Sequence, residues 1–215
     1  MRSPIILAVG IAALPLVVSC NGRSSQTPGA GTSASASGAG AQQAPDSFRV
    51  TFETSRGPFI VQIDRGWAPK GADRFHALVT EGFFDDSRFF RVVPGFVVQF
   101  GLNADPARNK SWDKRLPDDS VTHTNARGTI VFATQGPNTR THQMFINLAD
   151  NPQLDGMGFA PIGRVVDGMS VVDSLYGGYG ESPDQELIQR AGNSYLDRDF
   201  PKLDRIKTAK VGASP

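Results

Sequence analysis

The hydrophobic pattern of the chain changes twice. Residues 5–18 are an apolar run interrupted by Gly10 and Pro15. Residues 21–46 contain no Val, Ile, Leu, Met, Phe, Tyr or Trp. Periodic patterning begins near residue 47. Phe48, Val50 and Phe52 alternate with polar residues, as do Phe59, Val61 and Ile63, with Thr54-Ser55-Arg56-Gly57 between them. That pattern predicts a β-hairpin with one buried face. Ala68-Pro69 opens a helix that runs to about Thr80, because proline suits the first turn and Ala72, Phe75, Leu78 and Val79 fall on one face. Further strands are expected over Arg88–Val93, Phe96–Phe100, Thr129–Thr134, Gln143–Leu148, Phe159–Val165 and Leu203–Val211. Short helices are expected over Met169–Leu175 and Pro183–Ala191. Residues 102–127 are polar and read as one long surface loop, a type of segment that is often functional. Seven or eight short strands with few helices suggest a mostly antiparallel barrel or sandwich.

Composition divides the chain the same way. All fourteen Phe of the 215 residues lie after position 47, so 47–215 is the expected folded domain, long enough to bury ~70% of its unfolded surface. In 21–46, sixteen of the 26 residues are Gly, Ala or Ser. Such a segment cannot bury enough apolar area to offset the entropy of ordering, and reads as a flexible linker. The 5–18 run is too short for a bilayer core of ~30 Å and fits a signal peptide, residues 1–19. Its ending, Val17-Val18-Ser19-Cys20, resembles a bacterial lipoprotein signal, which would place a lipid on Cys20 and anchor the domain to a membrane. A signal peptide with an incidental cysteine, leaving a soluble secreted or periplasmic protein, is the alternative.

Charge excludes several functions. The formal net charge is +1, and loss of Arg2 with the signal peptide brings it to neutrality. No basic excess is available for nucleic acid. A single cysteine excludes an intramolecular disulfide and a Cys-based zinc cluster. His76, His123 and His142 show no zinc-ligand spacing, so no metal is expected. No Gly-x-Ser-x-Gly elbow is present. Asp105, Asp113, Asp118 and Asp119 read as a solvated acidic loop rather than a cation site.

Three segments carry candidate chemistry. They are Phe89-Phe90-Arg91-Val92-Val93-Pro94-Gly95-Phe96-Val97-Val98-Gln99, then Phe132-Ala133-Thr134-Gln135-Gly136-Pro137-Asn138-Thr139 with Gln143-Met144-Phe145-Ile146-Asn147, then Leu154-Asp155-Gly156 with Phe159-Ala160-Pro161-Ile162-Gly163. Taken singly, Phe96, Val97, Phe145 and Leu154 could be ordinary core residues, and Arg91 could sit on the solvent face of a strand. Taken in order and spacing, from about Phe48 to Val172, the segments resemble the cyclophilin family of peptidyl-prolyl cis/trans isomerases.

The resemblance implies a closed eight-stranded antiparallel β-barrel capped by two or more helices. It implies cofactor-free isomerisation of X-Pro bonds, with Arg91 stabilising the twisted amide, Gln99 orienting Arg91, and Phe96 as the first residue of the proline pocket. Val97, Phe145 and Leu154 would complete that pocket, Ala133 and Thr134 would line the adjoining groove, and Phe159 would lie at its rim. The implied partners are proline-containing segments of exported proteins, met by a monomer on the periplasmic side of the cell envelope. Asn21 after the lipidated cysteine favours the outer membrane. A proline-segment-binding chaperone or assembly adaptor is the alternative function.

Departures from the family pattern are also visible. Phe90 stands where His is commoner, Val97 where Met is, Thr134 for Asn, and Phe100 for a Gly. Arg140, Thr141 and His142 replace Asn-Gly-Ser, and Gln153 stands at a frequent Trp, which implies weak inhibition by cyclosporin. Residues 176–201 form a variant region.

Overall fold

A computed structural model describes residues 43–212. The expected signal peptide, Cys20 and most of the expected linker therefore lie outside the described residues. The end of that linker belongs to the fold: Ala44 is buried, and its amide donates to Asp73 at 2.9 Å.

Eight strands form one antiparallel sheet. They are β1 (Ser47–Thr54), β2 (Gly57–Asp64), β3 (Arg91–Val93), β4 (Val97–Phe100), β5 (Thr129–Phe132), β6 (Met144–Asn147), β7 (Pro161–Asp167) and β8 (Ile206–Gly212). Their order across the sheet is β3-β4-β6-β5-β7-β2-β1-β8. The predicted hairpin is present, with Ser47 opposite Asp64 and Thr54 opposite Gly57. Between the edge strands there is one isolated bridge, Arg88 to Arg205, flanked by bonds from the Phe89 amide to the Asp204 carbonyl and from the Ile206 amide to the Ser87 carbonyl.

One face of this sheet makes the main core. Phe48, Val50 and Phe52 of β1 and Phe59, Val61 and Ile63 of β2 point into it, joined by Val98, Ile130 and Ile146. Helix α1 (Pro69–Thr80) covers it with Phe75, which stacks on Phe48 at 6.4 Å. Phe100, the departure from glycine, fills this core and meets Phe52, Phe84 and Phe89 edge-on. Aromatic packing of this kind adds to the area each ring buries.

The expected loop 102–127 is not wholly irregular. Helix α2 (Pro106–Trp112) lies within it, capped by Asp105, whose side chain accepts from the Ala107 amide. Asp-Pro is a helix-start signal, but the polar composition of the turns behind it hid the element. Nor is the acidic loop wholly solvated. The Asp119 side chain is 4% exposed; it ion-pairs with Arg140 and accepts from the Lys70 and Gly71 amides at the start of α1. A carboxylate there satisfies donors that the first helical turn leaves unpaired.

The variant region carries its own small core. Helix α3 (Met169–Asp173) precedes it, and α4 (Gln185–Ala191) and α5 (Asn193–Asp199) form it. The α5 segment was not foreseen. Ile188, Tyr195 and Leu196 pack with Phe90 and Leu102 as a separate buried cluster. Gly192 joins the two helices at φ +58°, where a Cβ would lie 1.9 Å from the Ala104 carbonyl oxygen, so only glycine passes there.

Candidate active site

The site is built on the other face of the sheet. Cross-strand pairing sets Arg91 opposite Gln99, Gln99 opposite Phe145, and Phe145 opposite Val131. Directly opposed residues share a face, so these four side chains form one row across β3, β4, β6 and β5. Val97 shares that face with Gln99, two residues away. Their neighbours Val92, Val98, Ile146 and Ile130 turn into the main core. The apolar members of the row are therefore not part of the main core: Val97, Val131, Phe145 and Leu154 make a separate buried cluster, with Phe96, Ala133 and Phe159 packed against it.

A cleft of about 740 Å³ opens over this row. All nine site residues expected from the sequence line it: Arg91, Phe96, Val97, Gln99, Ala133, Thr134, Phe145, Leu154 and Phe159. Phe145 and Phe159 meet edge to face at 5.6 Å. Leu154 comes from a short 3₁₀ segment, Pro152–Met157. Asp155 in the same segment accepts from the Asn125 amide at 2.8 Å, and the Asn125 side chain donates to the Phe159 carbonyl at 2.8 Å. Those bonds hold the apolar rim in place. Burial raises the Asp155 pKa, but the Thr124 hydroxyl and the Asn125 donors outweigh it and hold the carboxyl below its usual value.

Arg91 lies at the polar end of the cleft with its side chain 22% exposed. Its Nη1 donates to Gln99 Oε1 at 3.3 Å, and Gln99 Nε2 donates in turn to Gln143 Oε1 at 2.8 Å. Its Nε donates to Glu181 Oε1 at 2.6 Å, and Nη2 reaches the same carboxylate. The guanidinium carbon lies 5.7 Å from the Phe96 ring centroid, within cation–π range. Arginine has five N–H donors. Three are occupied here, which leaves one on Nη1 and one on Nη2 for a ligand.

Sequence reading missed several lining residues. Gln143 had a signal, since it precedes Phe145 by two and shares its face. Asp113, Arg115, Gln185 and Gln189 also line the cleft and Glu181 reaches its arginine, none with a local signal. The histidines are engaged in packing. His76 meets Phe48 edge-on, His123 stacks on Trp67 at 3.8 Å, and His142 Nδ1 lies 2.7 Å from the Gly101 carbonyl oxygen. Among the described residues no group of three or more His, Cys, Asp or Glu side chains could hold a metal ion.

The family model described as cyclophilin type peptidyl-prolyl cis-trans isomerase/CLD matches residues 49–192. Peptidyl-prolyl cis-trans isomerase B of Escherichia coli strain K12 is 32% identical over 166 residues, covering 73% of this chain and 94% of that one. Peptidyl-prolyl cis-trans isomerase-like 1 of Emericella nidulans is 36% identical over 169 residues, covering 76% and 96%. The fold is similar to the crystal structure of a Cryptosporidium parvum cyclophilin type peptidyl-prolyl cis-trans isomerase, with TM-score 0.59, 21% identity, and coverage of 79% and 99%. The chain belongs to the cyclophilin-type peptidyl-prolyl cis-trans isomerase family.

Proposed function

We propose that this chain isomerises X-Pro bonds in exported proteins, with Arg91 stabilising the twisted amide over an apolar proline pocket. The barrier to this rotation is ~18–20 kcal/mol because the amide has partial double-bond character. At its top the nitrogen has lost resonance and become a better acceptor. No bond is made or broken, so the catalyst needs only a grip on the proline ring and a donor aimed at the twisted amide. Stabilisation that exists only in that state is what accelerates the step.

One observation supports this reading above the others. The two unoccupied N–H groups of Arg91 lie beside a pocket of Phe96, Val97, Phe145 and Leu154, and Gln99 holds the guanidinium in place. The proline ring would enter that pocket, and the chain on either side would run along Ala133 and Thr134. We also read the Arg88–Arg205 bridge as the seam that closes the sheet into a barrel, which keeps both walls of the cleft rigid. The apolar run before Cys20 supports a lipid-anchored position on the periplasmic side, reached through the Ala/Gly/Ser-rich segment between Cys20 and Ala44.

The test is protease-coupled isomerisation of a short X-Pro peptide by the purified chain and by Arg91→Ala, with folding of both checked by circular dichroism. Acceleration by the first and a loss of about 10²-fold in the second are expected, the size seen when one electrostatic donor is removed. A folded Arg91→Ala variant with undiminished turnover refutes the mechanism. A folded native chain without turnover leaves the groove as a binding surface for proline segments, the adaptor function.

A further inference from the structure

The segment between α3 and β8 does more than pack beside the barrel. Its start is tied down at the sheet edge, where the Tyr176 amide donates to Asp204 at 2.8 Å and the Gly180 carbonyl accepts from the Val92 amide at 3.3 Å. Its helices are held by the separate cluster around Phe90, the residue immediately before Arg91. Two consequences follow at the cleft. Gln185 and Gln189, one helical turn apart on α4, line it. Glu181, in the turn before α4, gives one carboxylate oxygen to Arg91.

Glu181 is 63% exposed. Its hydrogen-bonded partner is Arg91, through Oε1, which places the carboxylate beside an arginine that lines the cleft. A carboxylate at the edge of a substrate groove acts on the charge of the substrate. Its own contribution favours a cation and disfavours an anion in any pose, by an amount set by distance and by the dielectric between them, and Arg91 acts in the opposite sense. Removing it leaves Arg91 uncompensated and shifts the preference toward anions.

We propose that the segment Tyr176–Pro201 is a substrate-selecting wall of the cleft, in which Glu181 favours proline segments carrying a basic residue beside the proline over acidic ones. The proposal rests on the cleft being the isomerase site. It concerns selection of substrate and does not depend on which group lowers the rotational barrier. Gln185 and Gln189 offer amide donors and acceptors to the peptide main chain on the same side.

The size of the effect follows from Coulomb's law. For a substrate charge about 8 Å from Glu181 in water, that carboxylate alone contributes a factor of about 2.4 in either direction, so its share of the swing between a basic and an acidic peptide is about sixfold before screening. At ~0.01 M ionic strength it is about fourfold, and at ~0.15 M about twofold.

The experiment compares three peptides that differ only in the residue before proline: Lys, Ala or Glu. The purified chain, Glu181→Gln and Glu181→Lys are assayed for kcat/KM at low and physiological ionic strength. Glutamine is nearly isosteric and still accepts from Arg91, so the change is one of charge. The Lys-to-Glu preference is expected to fall about fourfold in Glu181→Gln at low salt, to fall further in Glu181→Lys, and to converge in all three as salt rises. A ratio that is the same in all three proteins overturns the proposal. The Ala peptide separates a general loss of activity from a change in preference. Full turnover by Arg91→Ala would refute the Arg91 mechanism and leave the peptide ratio intact as a readout of Glu181.

Discussion

Phe90→Ala tests whether the helices of the 176–201 segment are held by the small cluster they share with the sheet domain. Phe90 is 1% exposed and packs with Leu102, Ile188, Tyr195 and Leu196. Truncating a buried phenylalanine costs about 3–5 kcal/mol, through lost transfer energy and the cavity left behind. The lower end is expected here, because α4 and α5 are short and can settle into the space. With a urea slope of ~2 kcal/mol/M for a domain of this size, the midpoint should fall by about 1.5 M. Hydrogen exchange locates the loss: amides of α4 and α5 should lose protection before those of β1 and β2, whose contacts lie in the main core. A midpoint shift below about 0.3 M, or protection lost uniformly across the sheet, refutes the view that Phe90 docks this segment.

Two further outcomes are expected. Gln99→Ala frees Arg91 Nη1 and strips the Gln143 side chain of its partner, so kcat/KM should fall about tenfold; an unchanged value would mean that Glu181 alone orients the guanidinium. Burial holds the His142 pKa below 6.5, so the folded state resists protonation there. As pH falls through about 6.5 the unfolded chain takes up a proton that the fold does not, and stability drops by at most about 1.4 kcal/mol per pH unit down to the lowered folded value. Urea midpoints between pH 7.5 and 5.5 should therefore fall more steeply for the native chain than for His142→Asn, and parallel slopes would contradict this.

Much of the fold was legible because β1 and β2 alternate, with one face buried and the other exposed or half-buried. The central strands were harder. Val97–Phe100 and Met144–Asn147 are buried at every position, and a strand covered on both faces reads as a continuous apolar run. Alternation could not say which of Val97 and Val98 faced the core, and motif order resolved what periodicity left open. Glu181 was invisible because it reaches Arg91 across 90 residues of chain. Helix α5 was missed because Asn193–Asp199 is mostly polar, with Tyr195 and Leu196 as its buried residues. Its place is set by a tertiary contact with Phe90 rather than by its own pattern.

The row Arg91–Gln99–Phe145–Val131 also constrains how such a site can change. The four residues are aligned by backbone pairing, so a one-residue slip in β4 would turn Val97 and Gln99 inward together, one in β6 would turn Phe145 inward, and either would present core residues to the cleft. An insertion within these strands is therefore all-or-nothing. An insertion between α3 and β8 keeps the backbone pairing of the row and remodels what surrounds it, including the Glu181 that holds Arg91. Selectivity is therefore more easily altered through the loops and end segments than through the central row, whose members depend on one another's register.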